Sequence, residues 1–155
     1  MSQIYYADTS VLAKRHLDET GSRWFRELVH ANESGTIMSS KLSIVEVFSA
    51  FNRRRREATI SEINYSDFTR EFLTASAEEY DLIDLTDSII TIAQRVLEAY
   101  SLRTGDSVQL ASAIHAREIL LDSQLQAPIF LASDIKLLDA AIAEGFTTDN
   151  PLQHP

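Results

Sequence analysis

Ile129-Phe130-Leu131-Ala132-Ser133-Asp134 compresses the architecture of this chain into six residues: a short apolar run, one serine, then an aspartate. Four consecutive apolar residues are too few for a helix and suit a central strand covered on both faces. Ile4-Tyr5-Tyr6-Ala7-Asp8, near the opposite end of the chain, has the same form. In parallel sheets the carboxyl ends of the strands share one edge, and ligands bind in the crevice there. Two aspartates far apart in sequence are therefore predicted to face the same end of one sheet.

The intervening sequence alternates helical and strand patterns. After the first strand (3–7), Val11–Leu17 and Trp24–Val29 carry helical spacing, interrupted near Thr20-Gly21-Ser22. Ile37–Ser39 reads as a second strand, followed by a helix over Ser43–Arg56 and another over Thr59–Ala77, with Ile60, Ile63, Phe68, Phe72 and Leu73 near helical period. Residues 81–85 alternate as a strand does, and Thr86 or Asp87 caps a helix running to about Ser101. Gly105 precedes a helix to Leu121, 129–132 is the clearest buried strand, and a helix over 134–143 ends with Gly145 as its C′ residue. Phe146-Thr147-Thr148 is a candidate last strand. Such alternation predicts an α/β fold, a three-layer α/β/α sandwich with a central, mainly parallel sheet. Residues 1–155 read as a single domain, with no internal repeat and no Pro/Gly-rich linker.

Two further acids stand at comparable places. Glu46 lies inside Ile44-Val45-Glu46-Val47-Phe48, and Asp106 opens Asp106-Ser107-Val108-Gln109-Leu110-Ala111. Each acid has a local explanation: Asp8, Asp106 and Asp134 as helix N-caps, Glu46 as the far member of a capping box with Ser43. As a set they are harder to explain that way. The turn around Glu46 is predicted to be buried, where an unpaired carboxylate is costly. Unit charges about 4 Å apart repel by roughly 4 kcal/mol at an effective dielectric of 20. A divalent cation with oxygen ligands relieves that repulsion, and a carboxylate can cap with one oxygen and coordinate with the other. Asp139 is a reserve candidate; Asp87 reads as a surface residue.

Composition narrows the chemistry. The 155 residues are 45% hydrophobic and 24% charged, with no cysteine, which excludes disulfides, thiolate zinc and a cysteine nucleophile. His16, His30, His115 and His154 lack metal-ligand spacing and read as surface or core residues. No apolar stretch approaches the roughly 18 residues of a membrane span, so a cytoplasmic location is expected. A net charge of −9 argues against nucleic acid as a partner, but a metal would offset the clustered acids, and Arg53-Arg54-Arg55-Arg56 concentrates positive charge locally.

Tyr6-Ala7-Asp8-Thr9-Ser10-Val11-Leu12 resembles the N-terminal signature of PIN domains. Ser39-Ser40-x-x-Ser43-x-x-Glu46-Val47-x-x-Ala50 resembles their second acidic motif, and Leu102-Arg103-Thr104-Gly105-Asp106-Ser107-Val108-Gln109-Leu110-Ala111 the third. Phe130-Leu131-Ala132-Ser133-Asp134-x-x-Leu137-x-x-Ala140-Ala141 resembles the fourth. The four occur in order over nearly the whole chain, and its size makes it most similar to the VapC-type toxins of toxin–antitoxin pairs. The resemblance implies an acidic pocket of Asp8, Glu46, Asp106 and Asp134 for Mg²⁺ or Mn²⁺, one ion or two. It places a supporting hydroxyl at Ser133 and another at Thr9 or Ser10. It also implies an endoribonuclease acting on single-stranded or looped RNA, a VapB-like antitoxin and a homodimer, with the 43–77 helices a possible interface. Ser107 departs from the alanine common after the third acid, and the tail Asn150–Pro155 has no assignable role.

Arg53, Arg54 and Arg103 are candidate RNA phosphate contacts; a solvated helix end and contact with an acidic antitoxin segment are the other uses of the arginine run. Two competing functions remain at this level. A non-catalytic RNA-binding or assembly module of the same fold would not need all four acids. A phospho-acceptor receiver-type domain would want an adjacent acidic pair at an early strand end, where this chain has only Asp8.

Overall fold

Alternation along each strand sends neighbouring side chains to opposite faces of one sheet, and both faces are covered. The structure, a computed structural model, describes residues 2–32 and 35–155. Strands β1 (Ile4–Ala7), β2 (Thr36–Ser40), β3 (Tyr80–Ile83), β4 (Ile129–Leu131) and β5 (Thr148–Asp149) form a sheet in the order β3-β2-β1-β4-β5. Every pairing is parallel, so the expected mainly parallel sheet is wholly so among the described residues.

On one face Tyr5, Ala7, Ile37, Leu82 and Leu131 pack against α1 (Thr9–Ala13), α2 (Ser22–Ala31), α3 (Leu42–Arg56) and α4 (Glu62–Glu78), around Val11, Phe25, Val47, Phe51 and Phe72. On the other, Tyr6, Met38, Phe130 and Ala132 meet α5 (Asp87–Ala99), α6 (Thr104–Asp122) and α7 (Ile135–Ala143) through Val96, Leu110, Ile114 and Leu137. The Tyr6 and Phe130 rings stack at 5.5 Å. Burying each such side chain contributes roughly 1.5–3 kcal/mol. The three-layer α/β/α sandwich expected from the sequence is thus the observed one. No helix among the described residues is long and apolar enough to cross a membrane.

The chain moves from β1 through β2 to β3 on one side, then returns to the other side of β1 to lay down β4 and β5. The reversal between β1 and β4 opens a crevice at their carboxyl ends.

Several boundaries move for identifiable reasons. The helix expected from Thr59 starts after Ser61, whose side chain accepts from the Asn64 N–H at 3.0 Å. Ile60 packs on the core, but Ile63 is 75% exposed. The last strand is Thr148–Asp149 rather than 146–148, because Phe146 belongs to the helix stop before it. Its N–H bonds the Ala141 carbonyl at 3.0 Å while Gly145, at φ 92°, bonds Ile142 at 2.9 Å, and the ring enters the core. The same stop ends α3, with Ala58 at φ 58° in the place glycine favours.

The tail, left without a role by the sequence, clasps α2. Pro151 is buried against Gly21, which sits at φ 88° with no room for a side chain: a Cβ there would lie 2.5 Å from the Pro151 carbonyl oxygen. His154 stacks on Trp24 at 4.2 Å and bonds the Asp149 carboxylate at 2.8 Å.

Two substitutions test these backbone positions by urea denaturation. Gly21→Ala should lose about 2 kcal/mol or more, from left-handed strain plus the clash. Ala58→Gly should gain roughly 0.5–1 kcal/mol, because strain is removed at a cost in unfolded-state entropy.

Candidate functional site

All four acids singled out from the sequence line one cleft of about 540 Å³ at the carboxyl ends of β1 and β4, with Thr9, Ser10, Ser133, Arg53 and Arg103 in the same wall. Asp8 ends β1 and caps α1; its Oδ1 accepts from the Val11 N–H at 3.1 Å and the Ser10 hydroxyl at 2.7 Å. Its own N–H continues the ladder to the Leu131 carbonyl at 3.1 Å, which ties it to the strand that delivers Asp134. Asp134 caps α7 through Oδ1, accepting from the Leu137 N–H at 3.0 Å. In both residues one carboxylate oxygen caps the helix, as expected.

Glu46 and Asp106 are not caps. Helix α3 begins at Leu42 after Lys41, so the predicted Ser43–Glu46 capping box does not form. Ser43 is instead turned inward to Ser39, 2.7 Å away. Helix α6 begins at Thr104, which puts Asp106 in its first turn with Arg103 at the N-cap position. The predicted burial around Glu46 holds only in part: Val47 is fully buried, whereas Val45 is 66% exposed and Glu46 itself half-buried.

Glu46 is held from the side. Its Oε1 accepts from the Thr9 hydroxyl at 2.9 Å and from Gln109 Nε2 at 3.0 Å. Its Oε2 lies against Gly105, where an added Cβ would come within 2.7 Å. Gln109 is 2% exposed; it also donates to Ser43 at 2.9 Å and accepts from the Tyr6 hydroxyl at 2.7 Å. Sequence reasoning assigned Gln109, Tyr6 and Gly105 no part in the site. The one available signal was an amide among apolar helix positions (Val108, Leu110, Ala111) that had to be buried and hence hydrogen-bonded. Ser107, the departure noted in the third motif, satisfies itself on the Thr104 carbonyl at 2.6 Å.

Burial pushes the Asp8 carboxyl up from 3.8 to about 7, aided by the charges of Asp106 and Glu46 and opposed by the Ser10 and Val11 hydrogen bonds. Asp106 is raised by burial, then by Asp134 and Glu46, against the attraction of Arg103. The acids therefore lie within electrostatic reach of one another. They ring the cleft rather than close on a point, and no three His, Asp or Glu side chains among the described residues form a compact ligand cluster. The donor set still fits a hard divalent cation: anionic oxygens, no imidazole or sulfur in the cleft wall, and the Ser133 hydroxyl buried beside Asp134 with no hydrogen-bond partner among the described residues.

The arginines divide. Arg53 and Arg103 are exposed in the cleft wall. Arg54 turns away to Glu19 at 2.7 Å, and Arg55 lies over the Tyr65 ring. None of the four histidines, nor Asp87 or Asp139, reaches the cleft. A larger hollow of about 710 Å³ lies at the amino ends of β2 and β3, but Arg15 in its wall is paired with Glu79 and Arg26 with Asp18. Concentrated carboxylates, not volume, mark the site.

The chain is similar to known proteins in sequence and in fold. Residues 5–124 match the PIN domain family, a span that includes Asp8, Glu46 and Asp106 and stops before Asp134. No curated protein matches the chain. Among solved structures, a toxin–antitoxin complex from Klebsiella pneumoniae superposes with a TM-score of 0.60 at 15% identity, covering 95% of this chain and 97% of that one. VapBC2 from Rickettsia felis, bound to a DNA fragment from its promoter, gives 0.58 at 12% identity, covering 96% and 98%. At such identities the likeness is one of fold.

The raised Asp8 carboxyl has a measurable consequence. The folded chain holds that proton more tightly than the unfolded chain, so stability is lost as pH rises from about 4 to about 7. In EDTA, Asp8→Asn should melt roughly 5 °C higher than wild type at pH 8, and the difference should vanish near pH 4.

Proposed function

Since the chain belongs to the PIN domain family, we propose that it is a metal-dependent endoribonuclease, the toxin of a cytoplasmic toxin–antitoxin pair. The observation that carries this function is the meeting of Asp8, Glu46, Asp106 and Asp134 in one cleft flanked by Arg53 and Arg103. The toxin assignment draws on the fold shared with the two complexes and on the four sequence motifs.

Asp8 and Asp106 would hold the principal Mg²⁺ or Mn²⁺, with Asp134 binding directly or through water and Ser133 supporting it. When bound, such an ion neutralises phosphate charge and lowers the pKa of an attacking water. Glu46 orients that water or accepts its proton. Thr9 steadies Glu46 by donating to Oε1, and Ser10 steadies Asp8 by donating to Oδ1. Arg53 and Arg103, on opposite elements of the rim, bind the phosphates on either side of the scissile bond. Arg54, engaged by Glu19, has a structural part instead.

The partner is an antitoxin of the VapB kind whose segment occupies this groove. The toxin itself is a homodimer joined through α3 and α4, where Val45, Ile63 and Leu73 are exposed.

Purified chain incubated with RNA should cleave it in Mg²⁺ or Mn²⁺ and not in EDTA. Asp8→Asn and Asp106→Asn should each reduce cleavage at least about 100-fold with an unchanged far-UV spectrum. Full activity of either variant in metal-replete buffer overturns the assignment. Arg53→Glu and Arg103→Glu should each lower the salt dependence of RNA binding by about one unit of slope, while Arg54→Glu should leave the slope unchanged.

A further inference from the structure

Gln109 stands at the junction of two hydrogen-bond chains, and donor–acceptor chemistry fixes the sense of both. The Ala7 carbonyl can only accept, so the Ser39 hydroxyl, 2.6 Å away, donates to it. With its proton so used, Ser39 can only accept from Ser43 at 2.7 Å. Ser43 in turn can only accept from Gln109 Nε2. On the other arm of the amide, the Tyr6 hydroxyl donates to Oε1. The amide orientation is thus set from both ends, and its second N–H faces Glu46 Oε1 at 3.0 Å, with Thr9 Oγ1 3.1 Å away.

Both lone-pair directions of Glu46 Oε1 are then occupied, by Thr9 and Gln109. Oε2 accepts no hydrogen bond among the described residues and is confined by Gly105, the residue before Asp106. We propose that Gln109 is a positioning residue for the site: it locks the Glu46 carboxylate so that Oε2 alone is presented to whatever the cleft binds. Glu46 is half-buried between the exposed Val45 and Ser49, and the hydrogen bonds to its carboxylate come from outside its own helix. The restraint comes from Thr9 on α1 and from Gln109 on α6, and the Gln109 part is anchored at the strand end that delivers Asp8. The assignment goes beyond the ribonuclease function and depends on it only for the cleavage readout.

Gln109→Met keeps the volume and removes the amide. Mn²⁺ affinity by calorimetry should weaken about tenfold, and kcat for RNA cleavage should fall roughly 10–100-fold with KM little changed. In a Glu46→Gln background the same substitution should change neither quantity, because the residue acts through Glu46. Equal losses in both backgrounds, or no loss in either, overturn the proposal. Should the single variant fold poorly with the Tyr6 hydroxyl left unpaired, Tyr6→Phe/Gln109→Met removes both partners and carries the same comparison. If wild type neither binds Mn²⁺ nor cleaves RNA, the proposed function fails, and the positioning role is decided separately by a crystal structure of the variant. There Glu46 must leave its place against Gly105; a carboxylate found unmoved overturns the proposal.

Discussion

Mutual repulsion among carboxylates is the constraint around which this molecule is arranged. The sheet order brings the ends of β1 and β4 together, and two helices add an acid each from the flanks. Nothing in the cleft wall except Arg53 and Arg103 offsets that charge. At Asp8 burial is the larger cost, pushing its carboxyl up to about 7, and the charges of Asp106 and Glu46 add to it. Left to itself such a group would spread apart, and the surrounding polar contacts prevent this. Helix-start N–H groups grip one oxygen each of Asp8 and Asp134, and side-chain donors grip one oxygen of Glu46. Each grip leaves the other oxygen available, so the scaffold tolerates the repulsion without consuming the acids' capacity to bind.

Restraint of the acids is distributed over the fold. Asp8 is tied by backbone to β4, Glu46 by side chains to α1 and α6, and the α6 amide back to β1 and β2 through Tyr6, Ser43 and Ser39. Four segments distant in sequence are therefore coupled through a few buried polar atoms. Fully satisfied buried networks of this kind specify one arrangement, because every alternative leaves a polar group unpaired.

The parts of this arrangement that were legible in the sequence are those with a strong one-dimensional signature. Short apolar runs ending in Asp8 and Asp134 predicted central strands and a shared sheet edge, and Gly145 predicted its helix stop. Glu46 and Asp106 had weaker local signals: the caps weighed for them do not form, while their position beside apolar helix starts, which grouped them with Asp8 and Asp134, agrees with the cleft. Gln109 has no legible role in the sequence, since its meaning lies in partners 63 to 103 residues away. The clasp of the tail on α2 was hidden for the same reason: Gly21 reads only as an interruption between helices, and Pro151 has no assignable role until the two touch. Arg54 was grouped with Arg53 by adjacency, but successive helix residues point about 100° apart, and only one of them faces the cleft.

The sheet's outer strands set a rule for how other polypeptides can attach. β5 is two residues long and is followed at once by the Pro151 turn; β3 is four residues long and carries the exposed Asp81. Neither margin offers a long, flat ladder of free amides and carbonyls on which a foreign strand could zip up. Edge-to-edge stacking into fibrils is disfavoured for the same reason. A protein that recognises this molecule must instead read its helices and grooves with side chains, and its selectivity will follow sequence rather than backbone.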